Sequence, residues 1–163
     1  MNNISSYSLI LGGAKALDKI SQTPRLDSEL LLAKVLKMGR DQFYCKDIFP
    51  ERKQIQAYDA LLKKRIQGTP VAYLTGCKEF WSLPLKVNQD TLIPRPETEH
   101  LVQQSLVRLD NLEKKYQVLE LGTGCGAVAI ALAKERPKAS IFATDVSPKA
   151  LKIGKYNAKK FQL

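Results

Sequence analysis

A chain of 163 residues with 44% hydrophobic and 26% charged residues has the balance of a globular protein, sized for one domain or a small domain plus part of another. Its longest apolar run, Ala127 to Ala133, is far too short to cross a bilayer, and the start MNNISSYSLI lacks a signal peptide's cationic region and cleavage site. A cytoplasmic location without membrane attachment is the expectation. Cys45, Cys77 and Cys125 are odd in number and fit no metal-ligand spacing, so reduced thiols and no metal are expected. The net charge of +10 would help an encounter with nucleic acid. However, the lysines after residue 133 alternate with Ala150, Leu151, Gly154, Ala158 and Phe161 at helical spacing. That pattern describes the solvated side of an amphipathic helix, and no direct nucleic-acid partner is expected.

The first elements read as helices. Ile4, Tyr7, Leu11, Ala14, Leu17 and Ile20 form a helical stripe, with Gly12 and Gly13 inside it as a place where the helix could break. Thr23 and Pro24 suit the N-cap and first position of a second helix. Along it Leu26, Leu30 and Ala33 share a face beside Leu31, Val35 and Met38, and Gly39 could close the end. A short helical turn is expected around Asp41 to Lys46. A third helix is expected from near Pro50 to before Gly68, with Ile55, Leu61, Leu62 and Ile66 inward. Residues 1–70 thus form a small helical bundle.

The period changes after Thr69. Leu83, Leu85 and Val87 alternate with Pro84 and Lys86, which suggests a hairpin over residues 76–88 with Pro84 on an edge. Phe80 and Trp81 are expected between domains. Residues 71–95 form the connecting segment, and Pro96 opens a helix reaching Leu109 with Glu97 and Glu99 in its first turn.

From Tyr116 the order is strand, glycine turn, helix, strand. Val118, Leu119 and Leu121 make the first strand, GTGCG (Gly122 to Gly126) the turn, and AVAIALA a helix stopped by Pro137. Ser140 to Thr144 is the second strand, Asp145 follows it, and Ser147 with Pro148 caps another helix. This is a βαβ unit. Glycines let a ligand approach backbone at the carboxyl end of a parallel strand, and an acid after the second strand can accept bonds from ribose hydroxyls. The pocket therefore suits an adenosine-containing ligand. Gly122, Gly124 and Ala127 also fit the dinucleotide fingerprint, which makes a nicotinamide cofactor a rival. Glu120 argues against it, because a carboxylate there repels a pyrophosphate yet suits a sulfonium-bearing amino acid.

LIPRPETE (Leu92 to Glu99), VLELGTGCGAVAIALA (Val118 to Ala133) and ATDVSPKAL (Ala143 to Leu151) together resemble the PrmC/HemK family, and the similarity extends over essentially the whole chain. The family methylates the side-chain amide of a glutamine in peptide chain release factors. The resemblance implies S-adenosylmethionine as cofactor, a release factor as protein partner, and the first part of an α/β Rossmann-like (class I) methyltransferase domain over residues 96–163. It makes residues 1–70 the substrate-recognition domain and 71–95 a linker with a β-hairpin. Cofactor-binding residues carried over are Glu120, Gly122, Thr123, Gly124, Cys125, Gly126 and Asp145. Glu120 stands where the family usually has Asp, and Cys125 where Ser or Thr is common. The family's Asn-Pro-Pro-Tyr motif, whose Asn orients the reacting amide, does not occur before Leu163, so no catalytic residue is assigned and an inactive, truncated form is expected. The alternatives are a non-catalytic release-factor-binding module and a nicotinamide-dependent enzyme. The two parallel strands would leave an apolar face and edges uncovered, so residues from about 116 onward are expected to be poorly stable.

Of the single residues, His100 reads as a surface or packing residue and Cys125 as a small side chain filling a tight turn. Arg95 and Glu97 could shape a ligand entrance or cap the helix that follows.

Overall fold

The computed structural model describes residues 4–163, which divide into two compact units, one ending at Thr75 and the other Gly76–Leu163. The first unit is helical: α1 (Ser6–Leu17), α2 (Pro24–Leu36), a 3₁₀ turn (Arg40–Tyr44), α3 (Arg52–Ile66) and the short α4 (Val71–Thr75). Ser5 caps α1 by accepting the Ser8 N–H, and α1 runs unbroken through both glycines. The reason lies at Gly13. A Cβ there would stand 1.9 Å from the Tyr58 hydroxyl and 2.5 Å from Ser28 Oγ, so the missing side chain lets α2 and α3 approach α1.

That approach also rotates α1 away from the expected stripe. Ile4, Tyr7, Leu11 and Ile20 are exposed, and the buried residues of the helix are Ser6, Ile10, Gly13 and Leu17. Ile66 is likewise exposed, and Tyr58 is the fully buried residue of α3. Its hydroxyl lies 2.7 Å from Ser28 Oγ and donates to the Leu9 carbonyl, while Ser28 donates to the Ile10 carbonyl. The core of Ile10, Leu31, Leu32 and Tyr58 is closed around by Val35, Phe43, Leu61, Leu62 and Leu74.

Helix α2 is central, and three of its polar residues, Asp27, Ser28 and Glu29, are buried. Asp27 accepts from Arg65 at 2.9 Å, and Glu29 takes bonds from Arg25, Arg40 and the Tyr44 hydroxyl. Burial pushes the Glu29 carboxyl up, but the bonds from Tyr44, Arg25 and Arg40 outweigh it and hold the group below its ordinary 4.5. Lys37, in the left-handed conformation, ends α2; Gly39, with an ordinary negative φ, instead precedes the 3₁₀ turn. Thr23 makes no capping bond to the helix backbone, and Pro24 occupies the first turn as expected.

The second unit begins with β1 (Cys77–Phe80) and β2 (Leu83–Lys86), an antiparallel pair in which Cys77 faces Lys86 and Phe80 faces Leu83. The two-residue connection places Trp81 (φ 51°) and Ser82 (φ 57°) in left-handed backbone, a conformation usually left to Asn or Gly. Two carboxylates fix it: Glu99 accepts the Trp81 backbone N–H and Glu135 its indole N–H, each at 2.8 Å. Both partners lie in the same unit as Trp81. After a 3₁₀ turn (Pro96–Thr98) come α5 (Glu99–Arg108), β3 (Gln117–Leu121), α6 (Ala127–Glu135), β4 (Ser140–Thr144) and α7 (Pro148–Lys160).

β3 and β4 pair in parallel, Gln117 with Ser140 through Leu121 with Thr144, and form a two-stranded sheet. Val118, Glu120 and Ile141 lie on the face toward α6, which is buried from Ala127 to Leu132. On the other face Leu119, Leu121 and Phe142 are 58–76% exposed. An uncovered sheet face is what the strand count led the sequence to suggest. The architecture is a helical bundle followed by a hairpin and a two-stranded parallel sheet with its helices. Among the described residues no helix is long and apolar enough to cross a membrane.

Candidate functional site

The parallel register brings the carboxyl ends of β3 and β4 side by side, and the glycine turn leaves from one while Asp145 leaves from the other. Gly122, Gly124 and Gly126 all have positive φ (75°, 58° and 84°), so the turn's path is open only to residues without a Cβ penalty. At Gly126 space is also short: a Cβ would lie 3.0 Å from the Ile130 side chain and 3.4 Å from the Gly154 backbone.

The two acids are drawn into the turn. Asp145 accepts the Gly124 N–H through Oδ2 and the Ser147 N–H through Oδ1, each at 2.8 Å. These two N–H groups, Ser147 first, hold its carboxyl below the ordinary range, so it is an anion at neutral pH. Glu120 accepts the Thr123 hydroxyl at 2.6 Å and the Ala129 N–H at 3.1 Å, both through Oε2. Burial is the largest influence on this carboxyl and pushes it up, the two bonds oppose that, and the charge of Asp145 adds to the rise. Ala129 is in the first turn of α6, so Glu120 places a carboxylate against the positive end of that helix.

Thr123 has a second task, its N–H donating to the Thr144 carbonyl and tying the turn to β4. Cys125 is buried within the turn, and desolvation pushes its thiol up to about 11. It fills space and carries no reactive thiolate. All seven residues marked from the sequence therefore belong to one compact constellation of turn, strand ends and helix N-terminus.

Other candidates fall outside it. His100 pairs with Gln103 on the exposed side of α5. Arg95 and Glu97 are exposed beside the 3₁₀ turn Pro96–Thr98. A hollow of about 200 Å³ between α6, β4 and α7 shares Thr123 and Gly126 with the constellation, but neither acid lines it and, Thr123 and Lys155 aside, its walls are apolar. It suits a hydrophobic side chain, not a nucleoside.

Two residues of α7 were missed. Gly154 lies 3.5 Å (measured from an added Cβ) from the Gly124 carbonyl and lets α7 press against the turn. Asn157, fully buried, bonds to Cys125 and Lys86. Gly154 carried a signal in the sequence, a lone glycine inside a helical pattern; Asn157 carried none, because its partners are remote in sequence.

Comparison with known proteins agrees with this geometry. The family model described as the PrmC N-terminal domain matches residues 8–76, and that of the methyltransferase small domain matches residues 99–163. The release factor glutamine methyltransferase of Coxiella burnetii (strain RSA 493 / Nine Mile phase I) is 50% identical over 151 residues, covering 92% of this chain and 54% of that protein. That of Escherichia coli (strain K12) is 48% identical over 143 residues, 85% of this chain and 50% of the relative. The Rhodopirellula baltica (strain DSM 10527 / NCIMB 13988 / SH1) protein is 41% identical over 149 residues, with 89% and 50% covered. The chain spans about half the length of the curated relatives it matches. With both of its domains matched in order along the sequence, the chain belongs to the PrmC/HemK family of methyltransferases.

Proposed function

We propose that the glycine turn binds S-adenosylmethionine, and that the protein to which this chain corresponds transfers its methyl group to the side-chain amide of a glutamine in a release factor. The observation that carries the cofactor reading is the pair of acids at the turn. A carboxylate has about four lone-pair sites, and Asp145 spends one on each oxygen, which leaves one per oxygen for the two hydroxyls of a ribose. Glu120 keeps Oε1 for a cationic ligand group such as the amino group of a methionine moiety.

The same geometry argues against a nicotinamide dinucleotide. A pyrophosphate in such proteins sits on the helix N-terminus, and here the Glu120 carboxylate already occupies that position and would repel it. Cofactor residues in this reading are Glu120, Gly122, Thr123, Gly124, Cys125, Gly126 and Asp145, and a cytoplasmic location goes with it.

An amide nitrogen is a poor nucleophile, so transfer needs a group that orients the amide and stabilises its developing charge. No Asn-Pro-Pro-Tyr occurs within residues 1–163. In this reading the chain alone holds the methyl donor without transferring it, and the helical bundle contributes grip on the release factor. A second reading, release-factor binding with no cofactor role, draws on the self-contained core of the helical unit.

Calorimetric titration of the chain with S-adenosylmethionine, beside a methyl-transfer assay on a release factor, tests both. Binding without transfer is the expected result. Absence of binding, with release-factor affinity retained, would favour the second reading. Transfer would show that the chain alone supplies the orienting group.

A further inference from the structure

The fully buried Asn157 joins the hairpin to the glycine turn. Its Oδ1 accepts the Lys86 N–H at 2.8 Å, and its Nδ2 donates to the Lys86 carbonyl at 2.9 Å. The amide thus addresses β2 as a neighbouring strand would, satisfying both backbone groups of one edge residue. The second Nδ2 hydrogen goes to the Cys125 carbonyl, also at 2.9 Å.

That carbonyl belongs to the peptide unit whose N–H is Gly126's, and the Gly126 N–H closes the turn onto the Thr123 carbonyl at 2.8 Å. A peptide unit is planar, so holding its oxygen fixes the direction of its N–H. These two bonds, one at each end of the peptide unit, act against the backbone freedom of the neighbouring positive-φ glycines, Gly124 and Gly126. Around Asn157, Gly154 brings α7 within contact of the turn, and the Lys86 ammonium lies 4.2 Å from the centre of the Tyr156 ring.

We infer that Asn157 is a positioning residue of the cofactor turn, holding the Cys125–Gly126 peptide plane in register with the β1–β2 hairpin so that cofactor affinity depends on the hairpin's seat. The inference rests on the S-adenosylmethionine reading for its ligand, and on geometry alone for the grip on the turn. Aspartate is the sharpest probe because it keeps the shape and removes both donors, leaving a carboxylate facing two carbonyl oxygens. Val102→Ala, a buried truncation in α5, serves as the control for a merely destabilised fold.

Both variants of the full chain are compared with the unsubstituted chain at a temperature where melting curves show all three folded. In ligand-free hydrogen exchange, Asn157→Asp should speed the Gly126 amide at least tenfold, with Val102→Ala within about twofold of the unsubstituted chain. In calorimetry, Asn157→Asp should weaken S-adenosylmethionine at least tenfold and Val102→Ala less than threefold. Unchanged Gly126 exchange in Asn157→Asp would overturn the inference, and so would equal effects of the two variants. If the unsubstituted chain binds no S-adenosylmethionine while Gly126 exchange responds to Asn157→Asp alone, the cofactor reading fails and the grip on the turn stands.

Discussion

In the helical unit Ile10, Leu31, Leu32 and Tyr58 close on one another, and the polar residues of α2 that share their depth each find a partner. In the α/β unit the helix α6 is buried from Ala127 to Leu132, yet Leu119, Leu121 and Phe142 stand on a sheet face open to water. The difference follows from element type. A helix can bury a stripe against two or three others, whereas a parallel sheet needs cover on both faces and a pair of strands offers α6 only one. The chain therefore holds one self-contained core and one core with an uncovered side.

The comparison breaks first at Tyr58. Truncation by Tyr58→Ala removes a buried ring and its hydroxyl's contacts with Ser28 and the Leu9 carbonyl, a loss of about 3–5 kcal/mol. The sole tryptophan, Trp81, lies in the other unit and reports on it by fluorescence, while circular dichroism sees the helices of both. The expected outcome is a lowered dichroism transition for the helical unit with the Trp81 transition in place. Movement of both together would mean that the two units fold as one.

Acid should then separate the units through one carboxylate in each. Glu29, held below its ordinary value, contributes stability that is present above about pH 4.5 and lost as pH falls through its lowered value. The advantage of the unsubstituted chain over Glu29→Gln in the helical transition should thus shrink on acidification below pH 4.5. Glu120, held above its ordinary value, works the other way: it binds its proton more readily folded than unfolded, so stability falls as pH rises from about 4.5 through the raised value. Followed through Trp81, the unsubstituted chain should gain on Glu120→Gln as pH is lowered from neutral toward about 4.5. Asp145, shifted downward, is present in both chains and cancels in that difference.

The smallest effect is expected on the bare face. Leu121→Thr, at a residue 76% exposed, should shift the Trp81 transition by less than about 0.5 kcal/mol. A larger loss would show that this face is covered in solution.

Some of this contrast was legible in the residues and some was not. The run AVAIALA, the caps at Ser147 and Pro148, and the strands around GTGCG fall where period and turn chemistry place them, because each is governed by neighbours within a few residues. The inward face of α1 did not follow from its stripe of large side chains. Its orientation is set by what is missing at Gly13 and by Tyr58, 45 positions away in the chain. The acids at the turn were readable as types at a spacing, but the use of Glu120 as a partner for Thr123 and the α6 backbone was not. Asn157 was invisible for a similar reason: its two backbone partners on Lys86 lie 71 residues earlier, and a polar residue amid lysines reads as surface.

The open face of β3 and β4 also bears on how molecules of this chain behave toward one another. Leucine and phenylalanine side chains on a flat ladder attract any similar surface, and at close range only like charge opposes the approach. With a net charge of +10, copies repel across a distance set by the screening length, which contracts from about 30 Å at 0.01 M salt to about 8 Å at 0.15 M. Colloidal stability should accordingly fall as ionic strength rises, the reverse of ordinary salting-in, and light scattering against salt concentration would register it.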